Sequence, residues 1–322
     1  MTPSDLKARL RLPVIVAPMF LVSDPGLVIA SCRAGVVGSF PANNARSLVD
    51  LEAWFLTIGT GLDAARLEGL AWDVAPYAVN LVVRGAGTER YEATLDLIRR
   101  FSPPIVITSV GSPGAVVDMV HAYGGLVFHD VATLRHARKA AEAGVDGLIV
   151  LASGAGGHTG AANPFALLPQ IRRFWDGAIL LAGAIGDGRA IRAAEVLGAD
   201  FAYMGTRFIA TREATVADDY KQLLLSQQTA DIITTDRISG LPATFMRGSI
   251  MARGLDPDAL PPAKRLFEPD LPDHLKAWRD IWSAGHGVGL IDDLPALEVL
   301  VGRLEAEYAL AVADPTPRRT LA

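Results

Sequence analysis

The chain has 322 residues, half of them hydrophobic and only 20% charged, a balance that supports a large buried core and excludes a disordered chain. Its formal net charge of −5 leaves no basic footprint for nucleic acid, and no apolar run approaches the ~20 residues of a membrane span. The one cysteine, Cys32, excludes an intramolecular disulfide framework and fits a reducing cytosol, with its place on the buried face of a helix.

The opening stretch, Met1-Thr-Pro-Ser-Asp-Leu-Lys, has no basic region ahead of an apolar core, so no signal peptide is expected and a cytoplasmic location follows. Short apolar runs then alternate with helical patterns. They cover 13–17, 35–40, 77–82, 105–109, 126–129, 147–152, 178–182 and 201–204, which makes eight. Stretches such as 133–143 and 189–198 between them carry helical periodicity. Gly35, Gly144 and Gly198 stand where helices should stop just before the next run. Strands alternating with helices imply parallel pairing through right-handed crossovers. Eight such units predict an α/β fold of the (β/α)8 TIM-barrel type, with a C-terminal extension over the active-site face.

In a barrel of this kind the chemistry lies at the carboxyl ends of the strands. There the chain places Ala17-Pro18-Met19, Asn80, His129-Asp130, a glycine-rich loop with His158, then Gly183-Ala184 and Met204-Gly205-Thr206-Arg207. The stretch from Val145 to Gly160 reads as strand then loop, and Asn163-Pro164 supplies a cap and first helical residue. Glycines let backbone approach a ligand closely, and His158 is the one side chain of that loop that titrates near neutral pH. The loops after strands seven and eight suit a phosphate, with Thr206 as a hydroxyl donor and Arg207 either adding charge or standing in solvent.

Beyond the eighth unit, 231–251 predicts irregular structure with a strand or two, and 254–272 a proline-rich surface loop. Residues 277–283 predict a helix, and 294–313 a terminal amphipathic helix with Leu297, Leu300, Val301, Leu304 and Tyr308 on one face. The expected division is a barrel over 1–230 and 277–313, an insertion over 231–276 near the substrate pocket, and a tail over 314–322. His121, His136 and His274 fall in patterns of surface helix, and the scattered His, Asp and Glu lack metal-ligand spacing, so no metal is expected.

These segments together resemble the nitronate monooxygenase family, formerly called 2-nitropropane dioxygenases, which are FMN-binding barrels. The similar stretches are Ala17-Pro-Met19, Val79-Asn80-Leu81, Gly154-Ala-Gly-Gly-His158, Ala182-Gly-Ala-Ile-Gly-Asp-Gly188, the run from Met204 to Glu213, and Ile281-Trp-Ser-Ala-Gly285. They run in family order over most of the chain, and flavin-dependent enoyl-acyl-carrier-protein reductases carry a very similar histidine loop and Met-Gly-Thr-Arg-Phe pair. The resemblance implies an FMN phosphate on the backbone of Gly183, Ala184, Gly205 and Thr206, beside Met204. It implies Asn80 at the ring edge or ribityl chain, Ala17, Pro18 and Met19 beside the ring, and Gly156 and Gly157 close to it. His158 matches the histidine proposed as base, and Trp282, Ser283 and His286 would belong to the substrate pocket.

The chain departs from the family pattern in three places. Ala17 stands where many relatives have glutamine or glycine, and His286 where glutamine often follows the Trp-Ser-Ala-Gly segment. Asp130 stands where some relatives have lysine; its charge would oppose a reduced anionic flavin unless it points elsewhere or pairs with His129 or Arg135. The implied reaction is oxidation of a nitronate or nitroalkane by O2 to a carbonyl compound and nitrite. The alternative is an FMN reductase of quinones or enoyl thioesters that takes electrons from NAD(P)H. Weaker alternatives are a flavin-free phosphate-binding lyase or isomerase and a flavin-binding protein without turnover. Monomer and homodimer both remain open.

Overall fold

The computed structural model describes residues 1–313; the tail expected at 314–322 lies outside them. Among the described residues eleven strands run in chain order: β1 (Val14–Val16), β2 (Gly38–Pro41), β3 (Tyr77–Val82), β4 (Ile105–Ser109), β5 (Leu126–Val131), β6 (Gly147–Leu151), β7 (Gly157–His158), β8 (Ala178–Ala182), β9 (Phe201–Met204), β10 (Ile232–Thr235) and β11 (Ala243–Met246). Eight of them form one parallel sheet in the order β1-β9-β8-β6-β5-β4-β3-β2. The sheet closes where Val37, just before β2, pairs with β1: its N–H donates to Val14 O at 3.2 Å, and Val16 N–H donates to Val37 O at 2.8 Å. The result is the expected TIM-barrel-like fold.

Two periodicities build it. Along each strand alternate side chains point into the barrel, where Ile15, Val37, Ile107, Phe128, Ile149, Leu180 and Phe201 pack together. Leu6, on the helix Pro3–Ala8, joins that cluster as the inner plug of the barrel. The other strand face packs against the surrounding helices, with Cys32 buried on Pro25–Arg33. Helices begin at Asp24, Ser47, Thr88, Thr133, Asn163 and Asp187, each of whose side chains accepts a backbone N–H of the first turn.

The helix expected at 277–283 and the expected start of the terminal helix are corrected, while 231–251 carries the strand or two expected of it. Residues 277–283 form no helix: Asp280 N–H donates to Lys276 O at 3.0 Å, Trp278 N–H donates to Ile281 O at 3.0 Å, and Trp278 sits at φ 70°. That turn buries the Trp278 indole against Phe245, with ring centroids 4.8 Å apart, and His274 lies in a turn beside it. The terminal helix starts at Leu297, because Leu294 precedes Pro295 and is biased away from helical backbone. The segment 231–276 contains the hairpin strands β10 and β11 and a short helix, Arg247–Met251.

The terminal helix Leu297–Ala313 lies tightly on Gly188–Leu197. A Cβ at Gly188 would stand 2.3 Å from both Leu304 O and Tyr308 N. The Glu307 carboxylate accepts the Gly188 N–H at 2.8 Å, so this helix N-terminus is capped from within the chain. Among the described residues no helix is long and apolar enough to cross a membrane. Gly188→Ala should therefore force the two helices apart and cost ~1–3 kcal/mol in urea unfolding; unchanged stability would contradict this contact.

Candidate active site

A cavity of about 1410 Å³ opens at the carboxyl ends of the barrel strands. Ala17, Pro18, Met19, Asn80, Gly156, Gly157, His158, Gly183, Ala184, Met204, Gly205, Thr206 and Ser283 all line it. Trp282 and His286 do not, and their expected place in the pocket is corrected. The Trp282 indole lies flat on Tyr220, 5.1 Å between centroids at 5°, with its N–H donated to Arg279 O at 3.1 Å. His286 turns its ring onto Gly154, whose added Cβ would stand 3.0 Å from Nδ1, and its backbone N–H donates to Gly154 O. Both residues brace the wall from behind.

The barrel end forms the floor. Asn80 continues the inward row of Ala78, Ser109 that of Ile105 and Ile107, Asp130 that of Phe128, and Tyr203 that of Phe201. Asn80 donates to Ile107 O at 3.2 Å and Ser109 Oγ at 3.3 Å, which fixes its amide at the floor. Asn44 holds the loop after β1 by donating to Met19 O and Ser23 O, at 3.0 and 2.8 Å.

His129 and Asp130 cannot act as a pair, because neighbouring residues of a strand point to opposite faces. His129 turns outward to Thr108 Oγ1 at 2.8 Å, and burial pushes its pKa down to about 4. Asp130 turns inward, and neither it nor Arg135 appears in any ion pair among the described residues. Its Oδ1 is sealed from water without a hydrogen-bond partner, and burial raises the carboxyl to about 7. Burial thus shifts the carboxyl toward its neutral form, with no cation paired to it.

The histidine loop is not an irregular loop throughout. Gly157 and His158 form β7 and pair antiparallel with β11, Ala243 opposite His158 and Thr244 opposite Gly157. Gly157 N–H donates to Ser283 Oγ at 2.9 Å, and that hydroxyl donates onward to Thr244 O at 2.6 Å. Gly157, at φ 76°, has nothing within 4 Å of an added Cβ, whereas one at Gly156 would meet Thr206 Oγ1 at 2.9 Å. One glycine supplies backbone conformation and the other close approach. The His158 ring is open to the cavity and meets the Trp278 edge at 5.4 Å and 86°. Desolvation by the surrounding walls lowers its pKa, which favours the neutral imidazole.

Across the cavity, Gly183 sits at φ 133° and Ala184 at φ 56°. Ala184 lines the cavity, and its N–H donates to Gly154 O at 3.3 Å. Gly183, Gly205 and Thr206 have no backbone acceptor for their N–H groups among the described residues. Thr206 Oγ1 accepts from Gly285 N–H at 2.9 Å, which leaves its own proton to donate. Arg207 is neither solvated nor free for an anion: it is 4% exposed and binds Asp293 Oδ1 at 2.7 Å.

Residues that sequence reasoning missed close the mouth. Phe267 carries the Arg84 guanidinium 3.8 Å above its ring, and Leu266 and Trp278 stand beside the opening. Val110, Ala184, Phe267 and Trp278 all line the cavity with positive φ, between 54° and 70°. Such strain in non-glycine residues gathers at functional sites. The sequence offered one usable signal, the β-branched run Ile232-Ile-Thr-Thr235, which marks the hairpin that carries β7. Among the described residues no group of three or more His, Cys, Asp or Glu side chains is placed to hold a metal ion.

Comparison with known proteins agrees with this geometry. The family model described as nitronate monooxygenase matches residues 63–265. A nitronate monooxygenase of Paraburkholderia phytofirmans is 29% identical over 93% of both chains. A (3aS,4S,5R,7aS)-5-hydroxy-7a-methyl-1-oxo-octahydro-1H-indene-4-carboxyl-CoA dehydrogenase of Rhodococcus jostii is 29% identical over 71% of this chain and 61% of its own length. The solved nitroalkane oxidase of Streptomyces ansochromogenes superposes with a TM-score of 0.80 at 25% identity, covering 97% of this chain and 100% of that one.

Two outcomes follow from the site. His158 in the ligand-free protein should titrate below 6.5, read by NMR of the imidazole. Because the unfolded chain binds that proton more tightly, stability should fall as pH drops through this window; titration above 6.5 would contradict the environment described. Ser283→Ala should leave Gly157 N–H without its partner and cost ~1–3 kcal/mol in denaturant unfolding, and no loss would show that the tether is idle.

Proposed function

The chain belongs to the nitronate monooxygenase family, and from that premise we propose that it binds FMN in the barrel mouth and oxidises alkyl nitronates, or nitroalkanes after deprotonation, to a carbonyl compound and nitrite with O2. The observation that carries this reading is the placement of a neutral, unpartnered imidazole, His158, across one cavity from a set of backbone donors without acceptors.

The residues present fit a planar phosphorylated cofactor. Gly183, Gly205 and Thr206 would offer N–H groups and a hydroxyl proton to a phosphate, and the fixed Asn80 amide and the Asp130 carboxyl are the polar floor groups that a ring would meet. Arg207 takes no part, because its charge is already paired with Asp293. When bound, FMN supplies an electron acceptor that O2 can reoxidise.

The chain itself positions substrate and moves one proton. A neutral nitroalkane must lose its α-proton, and His158 in its neutral form accepts it on a ring nitrogen. Trp278 sets its ring edge against the imidazole and, with Phe267, lines the same cavity. A preformed nitronate needs no base, so the neutral imidazole contributes only a hydrogen bond from its ring N–H. General-base catalysis of this kind contributes ~10²–10⁴ in rate.

His158→Ala should accordingly lower turnover of neutral nitroalkane by ~10²-fold or more while nitronate oxidation falls far less. Steady-state assays with both substrates make the comparison. Equal losses on both would remove the base assignment.

A further inference from the structure

Asp130 is left unused by this account and is chemically unusual where it stands. It continues the inward row of β5 on the cavity floor; its Oδ1 is sealed there with no hydrogen-bond partner, and Oδ2, also unpaired among the described residues, is the oxygen left open to the cavity. A sealed oxygen with no donor disfavours the charged carboxylate, and the open oxygen on the floor is placed to meet a ligand. We propose, resting on the FMN reading above, that Asp130 is a ligand-binding carboxylic acid, which donates its proton in a hydrogen bond to an acceptor oxygen or nitrogen on the planar ring held over the barrel floor.

The surroundings decide between acid and carboxylate. From β9, Tyr203 faces Asp130 as an un-ionised phenol, its own pKa raised by burial and then by this carboxyl. The rows of the remaining strands bring Ala17, Asn80, Ser109, Leu151 and Ala182, none of which carries charge. His129 is turned to Thr108 on the opposite face of β5, and His158 on β7 is held neutral. Arg135, on the helix Leu134–Glu142, is exposed and forms no ion pair with it among the described residues. With no cation to pair with, the carboxyl is driven toward its neutral form, and burial places its titration at about 7. A neutral acid has one hydrogen to give, and an acceptor on the ligand stabilises that form further.

FMN binding, followed by quenching of flavin fluorescence, tests this without turnover. Wild type, Asp130→Asn and Asp130→Leu are compared between about pH 6 and pH 8. The flavin phosphate titrates in the same range, so the readout is the ratio of wild-type to Asn-variant dissociation constants. That ratio should rise about tenfold across the range, following the shrinking neutral fraction of an acid that titrates near 7. The Leu variant, which has no donor, should bind more weakly than the Asn variant throughout. A ratio that stays flat, or that falls because the carboxylate accepts a hydrogen bond from the ring, overturns the proposal. Failure of all three proteins to bind FMN at any pH overturns the flavin reading and the proposal with it.

Discussion

The site depends on one tether: the Ser283 hydroxyl, which accepts Gly157 N–H and donates to Thr244 O. It binds three remote parts of the chain at one oxygen. With the short pairing of β7 on β11, it turns a glycine-rich loop into a strand and so decides where the imidazole of His158 stands. Tyr220 secures the arrangement from below by donating to Ser283 O at 2.6 Å and stacking on Trp282. The barrel supplies a rigid rim, while the C-terminal segment supplies the geometry of the histidine.

Charge is kept out of the centre by similar means. Arg207 is paired with Asp293, which also meets Arg303, and Arg84 is held over Phe267. What remains around the floor is neutral or driven to be so. Burial lowers His158 and raises Asp130, opposite movements on the pH scale that both favour the uncharged form. A site of neutral donors and acceptors suits a ligand that brings its own charge in a phosphate or nitronate group, because backbone N–H groups can meet an anion without a competing counterion.

Much of this was legible before any coordinates. Buried parallel strands are continuous apolar runs, and the glycine stops and polar caps between them are local signals, so the eight units and most helix starts could be read directly. Long-range contacts could not. Whether Trp282 or Trp278 enters the cavity depends on a turn set by Asp280 and Lys276 and on packing against Phe245, and neither leaves a periodic trace. His286 was similarly ambiguous, because its ring is consumed in packing on Gly154. The Ala184 N–H goes to Gly154 O, a partner thirty residues away in the chain. Asp130 was identifiable as a departure, whereas its lack of a partner required the strand phase and the sealed floor.

The central claim is that the barrel mouth holds a flavin which takes electrons from a nitronate. Its most direct test is the absorbance spectrum of the FMN-reconstituted protein under anaerobic conditions, recorded before and after adding an alkyl nitronate and, separately, NADH. The account predicts a protein-bound flavin spectrum that bleaches rapidly with nitronate and not with NADH. A protein that retains no FMN, or a bound flavin bleached by NADH while nitronate leaves it oxidised, would contradict it.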